Sequence, residues 1–222
     1  MQIFPIFPTP IFVEDISISN EEQNTLVSLH TLQTPNQKIM NGESLDELWT
    51  NLSENRQILR MEELKNIRNT IITNGTKFVR EVMGYDIKQM VDVLSWTNEK
   101  PSDREHRTHT HPNSFVSGVL YFDEEYDDNQ SIVFEKHLGT NGICQLIPKK
   151  DHNNINAFST MHVSIPAQKG RLVLFPSHQP HFVPKGQPGK IRRSMAFNLM
   201  PEGGLGDIAH LTEFQYMSAL TV

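Results

Sequence analysis

Beyond about residue 90 the sequence is cut into eight short β-branched and aromatic runs: VDVLSW, SFVSGVLYF, SIVFE, ICQLI, MHVSIPA, RLVLFP, HFVP and RRSMAFNLM. Turn residues separate them. Runs this short do not make ordinary amphipathic helices, and their spacing suits antiparallel strands joined by tight connections. With few helical signals among them, they predict an antiparallel sandwich or barrel, with a two-sheet jelly roll as the expected architecture.

The preceding part follows a different pattern. Pro5, Pro8 and Pro10 exclude helix from residues 2–13 and fit an edge strand or a surface tail. Ser19 and Glu22 form a capping box that opens a helix to about Leu32. Residues 33–58 are polar and irregular, with a short helix expected near Leu45–Leu52. A longer helix is predicted from about Glu62 to Met83, where Ile67, Ile71, Phe78, Val79 and Val82 recur near helical spacing. Gly84 is its stop and Gly75 weakens its middle. That apolar stripe reads as packing against a sheet. A short helix near Asp207–Met217 is expected to close the chain. The fold class is therefore mainly β with N-terminal helices. We expect one domain over residues 1–222: 1–88 form the N-terminal strand and supporting helices, and 89–222 the jelly-roll core with a C-terminal extension.

Composition narrows the partners. A net charge of −6 argues against a nucleic-acid backbone as the main partner. The apolar N-terminus is interrupted by prolines and has no basic segment before it, so it does not read as a signal peptide. No run approaches the roughly 18–20 apolar residues needed to span a bilayer, so no membrane partner is expected. The single cysteine, Cys144, cannot form an internal disulfide; it fits a reducing cytoplasm and reads as buried filler.

Two stretches carry chemistry. In HTHPNSFVSGVLYF at 109–122, His109 and His111 are two apart. On a strand that spacing puts both imidazoles on one face, about 7 Å apart, and Pro112 ends the regular run. His106 adds another imidazole nearby, with no role assigned. In GRLVLFPSHQPHFV at 170–183, the apolar strand ends in a corner and His181 opens the next strand. His178 competes for that role but sits in the turn itself, so His181 is preferred. An imidazole set suits Fe, Zn, Cu or Ni. Downstream, period two puts Arg192, Ser194, Ala196 and Asn198 on one strand face and Arg193, Met195 and Phe197 on the other. The first face suits a wet pocket, with Arg192 and Ser194 as a clamp for a carboxylate. The second, bulkier face should pack against a helix.

Taken in order, these motifs resemble the 2-oxoglutarate/Fe(II)-dependent oxygenase superfamily, in particular a family of such oxygenases from marine bacteria and tailed phages. The resemblance rests on Trp96–Asn98, HTHPNSFVSGVLY at 109–121, LVLFPSHQPHFV at 172–183 and RRSMAFN at 192–198. The opening IFPTPIF at 6–12 is similar too. It implies a double-stranded β-helix core, Fe(II) held by His109 and His181, and Arg192 with Ser194 on the distal carboxylate of 2-oxoglutarate. His109, His181 and Arg192 would be the catalytic set, and Asn98 and Tyr121 further cosubstrate contacts. The implied reaction consumes O2 and couples decarboxylation of 2-oxoglutarate to succinate and CO2 with hydroxylation of an unidentified substrate. It would take place in the cytoplasm, of the host cell if the protein is phage-encoded.

One departure stands out. The superfamily's usual third ligand is a carboxylate, in HxD or HxE, and here that position is His111. His111 as third ligand is preferred over water or Asn113. The acidic run Asp123–Asp128 reads as a solvated hairpin loop, and Lys149 and Lys150 as surface. Two other functions stay open: a cupin-like metalloprotein, whose pattern wants a glutamate three or four residues after HxH, and a non-catalytic binding module on the same fold. No glutamate follows His111 before Glu124. Residues 33–58 and 148–158 are the expected lids, and a long edge strand would allow a homodimer.

Overall fold

The computed structural model describes residues 2–3, 7–31, 49–50, 55–127, 130–136, 156–157, 159–206 and 212–214. The strands are β1 (Phe12–Asp15), β2 (Trp49–Thr50), β3 (Gln89–Pro101), β4 (His106–His109), β5 (Val116–Leu120) and β6 (Ile132–Glu135). There follow β7 (His162–Ile165), β8 (Arg171–Pro176), β9 (His181–Val183), β10 (Ile191–Leu205) and β11 (Thr212–Phe214). Among the described residues, two α-helices, α1 (Asn20–Thr31) and α2 (Lys65–Lys77), precede the long strands.

The strands form two antiparallel sheets. The larger runs β1-β8-β5-β10-β3-β2, with β11 attached to the end of β10; the smaller runs β4-β9-β6-β7. This is the expected jelly-roll core. Its main seam is the β3/β10 ladder, which holds register from Ile191↔Pro101 to Asn198↔Leu94 and then slips by one residue before Leu199↔Asp92. Such bulges re-aim side chains and are frequent beside functional sites.

Period-two alternation sorts the large sheet into two environments. On the outer face Leu120, Leu172, Leu174, Met195, Phe197 and Leu199 join Leu26, Ile67, Ile71 and Phe78 of the helical layer in one buried cluster. On the inner face Val119, Tyr121, Val173 and Phe175 meet Ile132 and Phe134 of the small sheet. Gly118 is needed where β5 crosses under the outer cluster. A Cβ there would lie 2.3 Å from Phe197 Cζ and 2.9 Å from Leu174 Cδ2.

The helical layer follows its sequence signals closely. Ser19 and Glu22 form the capping box, Ser19 N–H donating to Glu22 Oε2 at 2.9 Å and Glu22 N–H to Ser19 Oγ at 3.2 Å. The long helix begins as a 3₁₀ turn at Glu62–Leu64, runs as α2, and finishes as a π turn at Phe78–Val82. Gly84 has φ 77° and ends it. Gly75 does not break the helix, because it gives Leu199 room: a Cβ would stand 2.7 Å from Leu199 Cδ1.

Two helical expectations are corrected. Within the span expected as a helix near Leu45–Leu52, Trp49–Thr50 pair with Glu99 and Asn98 as a strand. Within the expected C-terminal helix, Thr212–Phe214 pair as a strand with Gly203–Leu205. In both places an available sheet edge outweighs weak local propensity. The run ICQLI, Cys144, Lys149 and Lys150, Asp128, and most of the two expected lids lie outside the described residues. No helix among the described residues is long and apolar enough to cross a membrane.

Candidate metal centre and anion pocket

The small sheet brings the first two histidines together directly. β4 pairs antiparallel with β9, and His109 stands opposite His181 in the register. Their ring centroids are 4.3 Å apart. His111 is not on the strand with His109, as the i, i+2 reading expected, because β4 ends at His109. The chain turns there, and His111 N–H donates to Ser177 O at 2.9 Å. That turn, not strand pleat, folds the third imidazole inward, 5.2 Å from both His109 and His181. The nearest ring nitrogens of the three all lie within 4.8 Å of one another. Metal–imidazole bonds of roughly 2.0–2.1 Å need only a modest contraction from there.

The rings are prepared as ligands. His109 Nδ1 lies 2.9 Å from Arg107 O, and His181 Nδ1 lies 3.0 Å from Gln179 O. A carbonyl oxygen can only accept, so each Nδ1 carries the proton and each Nε2 presents a lone pair. Burial lowers the pKa of His181 to about 3 and that of His111 to about 4, with the neighbouring His109 adding to both shifts. Both are neutral near pH 7, the form that binds a metal. His181 is buried while His109 and His111 are partly exposed, so the cluster is open on one side. Phe175 packs against His181 at 4.6 Å and Trp96 stacks over His111 at 6.1 Å.

The β3/β10 ladder supplies the second half of the site. Arg192 is buried, with its Nη2 3.5 Å from Tyr121 Oη and its Cζ 5.6 Å from the Tyr121 ring centroid. Its Nε has no partner, and no carboxylate among the described residues pairs with it. Directly opposite on the same face stands a second buried cation, Lys100. Like charges facing each other across a ladder are destabilising, so a pocket built this way suits an anion. The next inner pair is Ser194 with Asn98, and Asn98 Oδ1 accepts from Trp96 Nε1 at 3.0 Å. The predicted clamp and cosubstrate residues Arg192, Ser194, Asn98 and Tyr121 are therefore brought to one wall.

His106 joins the two halves. Its ring stacks on His109 at 4.4 Å and 26°. Burial lowers its pKa to about 2, with His109, Lys100 and Arg192 adding to the shift. Sequence reading left this residue without a role and did not find Lys100. Its signal was its place two residues after Asn98 on the same strand face. His178 and Asn113 are exposed. The acidic loop is not freely solvated: Asp123 approaches Arg193, Asp127 is buried and accepts from Ser102, and Glu124 pairs with Lys169. None of its described carboxylates joins the histidine cluster.

Residues 94–198 match the model of a family described as "Putative 2OG-Fe(II) oxygenase". The matched stretch, 105 of the 222 residues, holds the three histidines and Arg192, and over it the chain is similar to the 2-oxoglutarate/Fe(II)-dependent oxygenases. That family's description names 2-oxoglutarate and Fe(II). Solved structures share its fold. One is an oxidoreductase of the 2OG-Fe(II) oxygenase family from Burkholderia pseudomallei, 12% identical with a TM-score of 0.54, covering 86% of this chain and 84% of the other. A Pseudomonas putida prolyl-4-hydroxylase is 13% identical with a TM-score of 0.51, covering 88% and 94%. The HygX protein of Streptomyces hygroscopicus, solved with iron bound, is 11% identical with a TM-score of 0.50, covering 87% and 82%. No curated protein matches the sequence.

Proposed function

We propose that this oxygenase hydroxylates its substrate through an Fe(II) held by His109, His111 and His181, with 2-oxoglutarate seated against Arg192. The observation that carries this reading is the buried Arg192 of the large sheet, with no carboxylate partner among the described residues, beside a cluster of three imidazoles built on the small sheet's edge. A metal site alone has no use for that guanidinium. A 2-oxo dicarboxylate needs a cation about one molecule's length from the metal and a metal face open to its keto acid end. When bound, iron and O2 supply the oxidation of substrate that is coupled to loss of CO2 from 2-oxoglutarate, leaving succinate.

The residues divide the remaining work. His109, His111 and His181 offer lone pairs and no charge. Arg192 offers Nε and Nη groups to the distal carboxylate, Ser194 adds a hydroxyl, and Asn98 and Tyr121 line the same wall. The apolar inner cluster of Val173, Phe175 and Phe134 excludes water from the far side of the histidines. The link to marine bacteria and tailed phages, a cytoplasmic site of action, and treatment of all 222 residues as one unit belong to the same proposal. The motifs support these points.

Anaerobic titration of the Fe(II)-loaded protein with 2-oxoglutarate tests the reading. A saturable visible charge-transfer band at one equivalent of iron is expected. Verified iron binding with no band would overturn it and move a binding module on this fold ahead of it.

A further inference from the structure

We infer that Ser177 is a positioning residue for the metal centre: it fastens the connection that carries His111 to the corner that leads to His181. The inference rests on the three-histidine reading above and gives a role to a serine of the LVLFPSHQPHFV stretch that the reading leaves unused.

Two connections cross between the sheets at this point. β4 of the small sheet ends at His109, and the chain passes through His111 to β5 of the large sheet at Val116. β8 of the large sheet ends at Pro176, and residues 177–180 lead back to the small sheet at His181. The β4/β9 ladder sets His109 directly against His181. No ladder among the described strands holds His111, so its place depends on how the two connections sit beside each other. Ser177 joins them with every polar group it has. Its carbonyl accepts from His111 N–H at 2.9 Å, its N–H donates to Phe115 O at 3.0 Å, and its Oγ lies 2.7 Å from Ser114 Oγ.

The hydroxyl is the informative part. A residue that only fills a corner needs no hydrogen-bonded chain, and other inner-face residues of the same strands, Val119, Val173 and Phe175, are apolar. Ser177 Oγ continues to Ser117 Oγ at 2.8 Å, and Ser117 Oγ donates to Asn198 Oδ1 at 2.8 Å. A longer contact of 3.3 Å joins Ser114 and Ser117. A carboxamide oxygen only accepts, so Ser117 accepts from Ser177 and Ser177 accepts from Ser114. Each hydroxyl proton then has an acceptor. Ser117 is held from both sides, paired with Phe175 of β8 and with Asn198 of β10. Ser117 and Ser177 are buried and Ser114 is half-buried. A satisfied buried network of this kind rigidifies one geometry. Through it the middle of the large sheet fixes the loop that carries the third imidazole. Removing Ser177 Oγ takes away the near acceptor of Ser114 and frees the His111 connection at one of its three points of attachment.

The test is Co(II) affinity of the full chain, read from the visible spectrum of the bound ion. Ser177→Ala should weaken Co(II) binding by about tenfold, the low end for groups behind metal ligands. Its Co(II) spectrum should move toward that of His111→Ala. In a His111→Ala background the same substitution should cost nothing further, because the β4/β9 ladder keeps His109 and His181 in place and the effect acts only through His111. A serine that serves the fold alone would lower the urea midpoint in both backgrounds and leave the Co(II) spectrum unchanged. Should Ser177→Ala fail to fold, Ser114→Ala removes the half-buried end of the same chain and should give a smaller loss, again only when His111 is present. Equal losses in both backgrounds, or no loss with either variant, would overturn the inference while leaving the three-histidine reading intact. Unchanged affinity in His111→Ala alone would instead overturn His111 as a ligand, and Ser177's role with it.

Discussion

Arg192 and Arg193 are neighbours on β10, and their side chains enter opposite worlds. Arg193 points outward and is satisfied: Glu99, its ladder partner, accepts from its Nε, and Asp123 lies 3.8 Å from Nη1. Its own carbonyl accepts from Tyr126 Oη, which pins the acidic loop. Arg192 points inward, faces Lys100, and carries a buried Nε without a partner. The rest of the strand repeats the contrast. Met195 and Phe197 fill the helix-backed core, while Ser194 and Asn198 line the site. One strand face is finished by the fold itself, and the other is arranged for something that binds. An unsatisfied buried cation costs stability, and its persistence on one face alone marks which face is functional.

The largest effect that sharpens this contrast lies on the outer face. Phe197 is fully buried. Phe197→Ala should cost about 3–5 kcal/mol of stability, as large-to-small core changes do. The shift in urea midpoint reads it directly. A loss below about 1 kcal/mol would mean that the outer face is not the structural one.

The two arginines provide the next comparison. Arg192→Met should lower 2-oxoglutarate affinity by roughly 2–5 kcal/mol, the cost of truncating one partner of a buried charge pair. It should leave the stability of the ligand-free protein unchanged or higher, because an unpaired buried cation has been removed. Arg193→Met should do the reverse: about 1–3 kcal/mol of stability lost, discounted for its partial exposure, with cosubstrate affinity intact. Calorimetric binding beside thermal unfolding of both variants separates these outcomes. Equal losses of affinity would dissolve the distinction between the faces.

How much of this was legible beforehand follows the physics of each element. The faces of β10 could be read because alternation is a local property of an extended chain. The capping box at Ser19 and Glu22 was readable for the same reason. The convergence of His111 was not, since it depends on where β4 stops and on a main-chain bond to Ser177, 66 residues away in sequence (177 − 111). Lys100 is invisible until the register sets it opposite Arg192. Trp49 and Thr212 escaped because short segments at a sheet edge take their structure from the neighbouring strand. The tautomers of His109 and His181 depend on carbonyl oxygens, and every sequence has those everywhere.

The smallest predicted effect concerns a polar group on the structural side. Asp92 stands opposite Leu199, just past the bulge, buried with Oδ1 lacking a partner and Oδ2 accepting from Ser95 Oγ at 3.2 Å. Burial raises its pKa from 3.8 to about 6, against the opposing pull of Ser95, Arg60 and Arg68. The folded state therefore prefers the protonated acid. Folding takes up a proton between pH 3.8 and about 6. The wild-type protein should lose stability as pH rises through that window, by about 3 kcal/mol at most. Asn resembles the protonated acid in shape and charge. Asp92→Asn should be the more stable form at pH 7–8, and the advantage should shrink as pH falls through about 6 and vanish below 3.8. Urea unfolding of both proteins from pH 4 to pH 8 measures the gap. A gap that does not change with pH would show that Asp92 is ionised in the fold at no cost. The outer face would then tolerate an unpaired charge as readily as the inner one, and the unpartnered Arg192 would lose its value as a sign of function.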